Sequence, residues 1–214
     1  MSEVTPFRFY SRSHQVLLLG RRARSIPELL EGVRDLPPAS IYYHTHRFLQ
    51  QHHYLSPEPP NDFAYWVTNI LNLDNLGESL ASVDIMAHTQ IEDLRRAIVE
   101  KLSDHVAAGK HMTTAPPGEE FHFMACKTFV IPTQYVAHDL KEFAEQLSKV
   151  TLDTLYFHIF EAPLRLKQEG NDFSTWFAAL GHDELARKFA AFDPYTVTLQ
   201  RLRLRLIATV NKYA

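Results

Sequence analysis

The feature that most constrains this chain is a repeat. Phe7, Phe9, Val16, Glu28, Tyr42 and His44 recur 114 residues later as Phe121, Phe123, Val130, Glu142, Tyr156 and His158. A four-residue deletion then moves the spacing to 110, where Asn61-Asp62-Phe63 and Trp66 meet Asn171-Asp172-Phe173 and Trp176. At 109, Leu76, Ala81 and Asp84 meet Leu185, Ala190 and Asp193, and at 108 Leu94-Arg95 meets Leu202-Arg203. Blocks that keep their order while their spacing shifts by a few residues are what altered loop lengths between two copies of one unit leave behind. The expected organisation is an internal duplication, with a first repeat over 1–113 and a second over 114–214. The break falls near Gly109 and Ala115-Pro116-Pro117-Gly118, where turn-forming residues interrupt the pattern.

Each copy predicts the other's elements. Apolar and polar residues alternate around Phe7/Phe9 and Phe121/Phe123 and lead into Val16-Leu17-Leu18-Leu19 and Phe129-Val130-Ile131, which reads as one or two short strands per copy. About five helices follow. The first opens on Ser25-Ile26-Pro27-Glu28 or Asp139-Leu140-Lys141-Glu142, a cap residue with Glu three places on. The second is expected from Ser40 or Thr154, and the third behind Asp62 or Asp172 as cap. The fourth spans Leu76 to Val83 or Leu185 to Phe192, and the fifth carries Ile91, Leu94, Ile98, Leu102 or Leu199, Leu202, Leu206, Val210 at helical spacing. The expected fold is α+β, predominantly α-helical, with two homologous halves about a pseudo-twofold axis, a small β component and a shared core.

Composition excludes more than it reveals. A formal charge of -3 gives no basic surface for nucleic acid. No run approaches the roughly 18 apolar residues of a membrane span, and Met1 to Thr5 lacks a signal-peptide pattern, so the expectation is a soluble cytoplasmic protein. Seven scattered glycines exclude the phosphate-cradling loops G-x-G-x-x-G and G-x-x-x-x-G-K. Cys126 is the sole cysteine, which excludes an internal disulfide and a thiolate zinc site. It reads as a small half-buried thiol.

Four segments carry a resemblance: Phe7-Arg8-Phe9, Glu28-Leu29-Leu30-Glu31-Gly32, Ser40-Ile41-Tyr42-Tyr43-His44 and Asn61 to Trp66. Through them nearly the whole chain resembles a bacterial family of uncharacterised proteins with an aromatic start and E-L-L-E-G, S-I-Y-x-H and N-D-F-x-x-W segments. The resemblance implies a fold and no mechanism. The second copy departs from it where Phe143-Ala144-Glu145-Gln146 replaces Leu-Leu-Glu-Gly, so an active copy, if there is one, is expected to be the first.

The polar residues that recur and can do chemistry are His44 and His158 with Asp62 and Asp172, the catalytic candidates. A carboxylate orienting an imidazole forms a general acid/base pair. The structural reading, with the Asp as helix cap and the His as a buried hydrogen-bonded group, is weighted above it. The aromatic neighbours Tyr42, Trp66, Tyr156 and Trp176 are the ligand-binding candidates, with both indoles expected to be buried. His44, His46, His52 and His53 form a loose imidazole cluster, but i and i+2 do not share a helix face, and no metal and no cofactor is expected. His138-Asp139 and His182-Asp183 read as helix starts, and Arg201 to Arg205 as a solvated helix face. The first functional reading is a non-catalytic ligand- or protein-binding or regulatory module, monomeric or homodimeric, with an unknown protein or small molecule as partner. The alternatives are a hydrolase using a His/Asp pair, with or without a metal, and a structural subunit of a larger assembly.

Overall fold

The computed structural model describes residues 5–52, 59–109, 113–167, 170–191 and 198–214. Strand β1 runs Phe7–Ala23 and strand β2 runs Phe121–Ala137, and they pair as a two-stranded sheet. Each is one long strand where the sequence suggested one or two short ones. No adjacent pair of turn-forming residues interrupts either run: Gly20 in β1, at a positive φ of 71°, and Pro132 in β2 each stand alone within a strand that continues past them. The fold is α+β and mainly helical.

The chain forms two compact units: Met1–Ser13 with Thr128–Ala214, and His14–Lys127. The division falls inside both strands. Phe7 and Phe9 therefore belong to the unit built from the second half's helices, and Phe121 and Phe123 to the unit built from the first half's.

The His14–Lys127 unit holds α1 (Ile26–Asp35), α2 (Pro38–Tyr42), a π-helical turn at Tyr43–Arg47, α3 (Phe48–His52), α4 (Asp62–Asn69), α5 (Asp74–Ala81), a 3-10 turn at Ile85–Ala87 and α6 (Ile91–Ala107). Its core joins Ile26, Leu29 and Val33 of α1, Phe63 and Val67 of α4, Leu80 of α5 and Leu94, Ile98 and Leu102 of α6 to Phe121 and Phe123. Gly32 of the E-L-L-E-G segment has a steric role. A Cβ there would stand 2.2 Å from the Phe123 ring, so only glycine lets that ring lie on α1. Arg95 on α6 donates from Nη1 to the carbonyls of Val33 at 2.6 Å and Leu36 at 2.7 Å, satisfying acceptors that the end of α1 leaves over.

The other unit holds α7 (Leu140–Lys149), α8 (Leu152–Ile159), α9 (Ala162–Leu166), α10 (Asp172–Ala179), α11 (Asp183–Ala190) and α12 (Leu199–Val210). Phe7 and Phe9 pack edge-on or tilted on Phe143 and Phe173, with ring centroids 5.3–6.1 Å apart, and Phe7 also meets Trp176. On α12 Leu202 and Leu206 are buried while Arg201 and Arg205 are exposed, the solvated face expected of that basic run.

The capping differs from expectation in three places. Asn61 and Asn171, not the aspartates after them, cap α4 and α10, accepting from Ala64 N and Ser174 N. Their side-chain amides also donate to the carbonyls of Leu80 and Phe189. The Ser25 side chain makes no cap bond; Glu28 instead accepts from the backbone N–H of Arg24, one residue earlier than a capping box requires. Finally, α2 and α8 begin before Ser40 and Thr154, because Pro38 fits a first helical position and Thr151 caps α8 through Thr154 N.

Candidate functional site

Because the asparagines take the caps, Asp62 and Asp172 are left at the first position of their helices with carboxylates to spare. Each turns to a histidine. His44 Nδ1 lies 2.6 Å from Asp62 Oδ2, and His158 Nδ1 lies 2.6 Å from Asp172 Oδ2. The opposite ring nitrogen is engaged by a strand: Met124 N–H donates to His44 Nε2 at 2.9 Å, and Tyr10 N–H donates to His158 Nε2 at 2.8 Å.

These contacts fix the tautomer. A nitrogen that accepts a backbone N–H must present its lone pair, so the ring proton sits on Nδ1 and is donated to the aspartate. Both imidazoles are therefore neutral, and both of their nitrogens are spoken for. Burial pushes the His158 pKa below its usual value, Asp172 pulls it back up, and the Arg165 guanidinium pushes it down again. Phe121 and Phe63 flank the His44 ring, and Phe7 and Phe173 flank His158, so both pairs sit among aromatic faces.

The two clips differ in what surrounds them. Asp172 Oδ2 also accepts from Arg165 Nη2 at 2.5 Å, and the Arg165 guanidinium lies 4.5 Å above the Phe157 ring. Beside this cluster is a cleft of about 840 Å³ in the unit that contains α7 to α12. Pro6, Phe7, Val130, Phe157, Leu166, Trp176 and Ala179 give it apolar walls, and Arg8, Tyr10, His158, Arg165, Asp172 and Thr175 are its chief polar lining. On the side of His44, burial and the Asp62 charge push the Tyr43 pKa up, and Arg47 opposes them.

The remaining candidates fall as follows. Trp66 and Trp176 are both buried, and their indole N–H groups donate to the carbonyls of Glu119 and Thr5 at 2.8 and 3.0 Å. Trp176 still presents part of its ring to the cleft. Tyr156 is wholly buried, with the Arg12 guanidinium 4.9 Å from its ring centroid. Tyr42 stacks on the buried His46. His44 and His46 both lie in the π-helical turn, His52 ends α3, and His53 lies outside the described residues. Among the described residues no three His, Cys, Asp or Glu side chains gather as a metal site. Cys126 is buried rather than half-buried.

Sequence reasoning missed Arg165, Arg8 and Tyr10. Arg165 stands where the spacing between recurring residues changes from 114 to 110, so no register compares it with a partner. Tyr10 acts through its backbone, which no side-chain pattern reveals. The buried ion pair of Arg12 with Glu161 was missed too, because the register partner of Arg12 is Cys126. Burial pushes the Glu161 carboxyl well above its usual range, against the opposing charge of Arg165.

Fold and site together define a mainly helical α+β protein in which buried His–Asp clips tie helices to a long two-stranded ribbon. The chain belongs to a family of unknown function, DUF5752, whose model matches residues 4–211. Among solved structures it is similar to OrfY from Thermoproteus tenax, at 28% identity and a TM-score of 0.81 over 97% of this chain and 95% of that one. No curated protein matches it. No helix among the described residues is long and apolar enough to cross a membrane.

Proposed function

We propose that the protein is a non-catalytic binding module whose ligand seats in the cleft beside His158, Asp172 and Trp176. One observation carries this reading: the histidine in the cleft wall spends both ring nitrogens inside the protein. A general base needs a lone pair facing its substrate, and a metal ligand needs one facing the ion. His158 has neither to offer without releasing Tyr10. Apolar walls with a few convergent polar groups are the usual make-up of a small-molecule site. The same bonding at His44 supports the non-catalytic reading there too.

We also propose that the two clips descend from one, through duplication of a repeat now spanning 1–113 and 114–214. Support comes from the matched pairs His44/His158, Asp62/Asp172 and Asn61/Asn171, each making the same bonds to its own surroundings. In this reading the leading strand of each repeat has been traded to the other repeat's helices.

The test is a fluorinated-fragment screen followed by NMR of the Trp176 indole N–H, assigned by loss of its signal in Trp176→Phe. Fragments that shift this resonance, with no turnover of generic ester, amide or phosphoester substrates, are the expected result. Turnover abolished by Asp172→Asn would overturn the non-catalytic reading.

A further inference from the structure

The cleft carries a charge imbalance that its apolar walls make consequential. Among the described residues its charged lining is Arg8, Arg165 and Asp172. Asp172 is already committed, with Oδ2 accepting from both His158 and Arg165. His158 adds no charge, because its Nε2 lone pair is held by the Tyr10 amide. Two guanidiniums against one carboxylate leave the described lining a unit positive, in a chain whose formal charge is -3.

The two arginines are not equivalent. Arg165 is oriented before any ligand arrives, by its bond to Asp172 and by lying over Phe157. A guanidinium has five N–H donors, and Asp172 takes one of them in this geometry. Its side chain is 37% exposed, which leaves the other donors within a ligand's reach. Arg8 sits on the strand between the buried Phe7 and Phe9, so strand alternation turns it away from their core, and it lines the cleft instead. It is exposed and makes no ion pair among the described residues. A fixed guanidinium and a second one free to swing in are a fitting receptor for a planar or tetrahedral anion.

We propose that the ligand of this cleft is an organic anion: a carboxylate or phosphate head held by Arg165 and Arg8, on an apolar body lying against Trp176. The proposal rests on the binding reading above and adds the chemical class. Burying an anion beside apolar walls is costly unless charge-assisted hydrogen bonds replace its water, and the two arginines supply them.

The experiment titrates phenylacetate, phenyl phosphate and neutral 2-phenylethanol into the protein and follows the Trp176 indole resonance. At least one anion is expected to bind about tenfold or more tightly than 2-phenylethanol, the difference a charge-assisted hydrogen bond makes. Which anion is preferred distinguishes a carboxylate head from a phosphate head. Arg8→Gln should weaken that anion about tenfold and leave 2-phenylethanol unchanged, whereas Arg205→Gln, on α12 outside the lining, should change neither. Arg165→Gln should act as Arg8→Gln does; if it lowers the melting temperature through Asp172, the exposed Arg8 carries the test. Equal binding of neutral and anionic probes, or an anion affinity indifferent to Arg8→Gln, would overturn the anion proposal while leaving the cleft a binding site. No Trp176 shift with any probe or screened fragment would overturn the binding reading itself.

Discussion

His158 Nε2 accepts the backbone N–H of Tyr10 at 2.8 Å, joining two residues 148 positions apart in the chain. With Asp172 on its other nitrogen, the imidazole ties strand β1 to helices α8 and α10 in one step. Met124, His44 and Asp62 repeat the tie between β2, the π-helical turn and α4. A buried backbone N–H in a strand that leaves the ladder needs another acceptor, and an imidazole lone pair serves.

Replacing either histidine by alanine strands that N–H and leaves an aspartate without its donor. His44→Ala and His158→Ala should each lower unfolding free energy by about 2–3 kcal/mol, the usual penalty for orphaned buried polar groups. Urea denaturation followed by circular dichroism checks this. A loss under about 0.5 kcal/mol at either site would show that the clip contributes little there.

The pH dependence follows from the lowered His158 pKa. Folded His158 stays neutral where the unfolded side chain takes up a proton, so the unfolded state binds more protons in that window. Its contribution is complete above about pH 6.5, the ordinary histidine value, and is lost as pH falls from there through the lower folded value. Glu161, raised by burial, works in the opposite direction as pH climbs above the ordinary carboxylate value. The expected observation is therefore a difference: between pH 7.5 and 5 the wild type loses more stability than His158→Gln. Parallel curves for the two proteins would contradict the assignment.

Gly32→Ala places a methyl group 2.2 Å from the Phe123 ring. Overpacking of this kind should cost about 1–3 kcal/mol despite alanine's better helix propensity. Phe123→Leu in the same chain should recover part of the loss, and a double-mutant cycle on urea midpoints measures the coupling. Additive single effects would mean that the ring moves aside freely.

Phe9 is fully buried against α7 and α10, more than 130 residues further along the chain. Phe9→Ala should cost about 3–5 kcal/mol, as truncation of a core phenylalanine does. Because its neighbours include Phe143 and Phe173, hydrogen exchange should accelerate first in α7 and α10. Acceleration confined to α1 and α4 would show that Phe9 supports the other unit.

Read alone, the sequence determined the periodic facts. Helical spacing marked the stripes of α1, α6, α7 and α12, because burial of one helix face leaves its imprint every three or four residues. The recurrence of Phe7/Phe9, His44, Asn61-Asp62-Phe63 and Trp66 further along the chain singled these residues out, and both indoles were expected in the interior, where the structure has them. His44 and Asp62 stood out as partners because they recur together. Tertiary structure alone decided who holds whom. That Asn61 rather than Asp62 caps α4 depends on a one-residue choice the backbone makes when Leu80 O comes within reach of the amide. That Phe7 and Phe9 complete a core made by residues 140–177 depends on where β1 lies, and strand pairing over such distances leaves no local trace in composition or spacing. The cleft depends on Arg165, Arg8 and Trp176 lining one cavity, three residues from two distant segments with no common register. Only folding gives them one electrostatic environment.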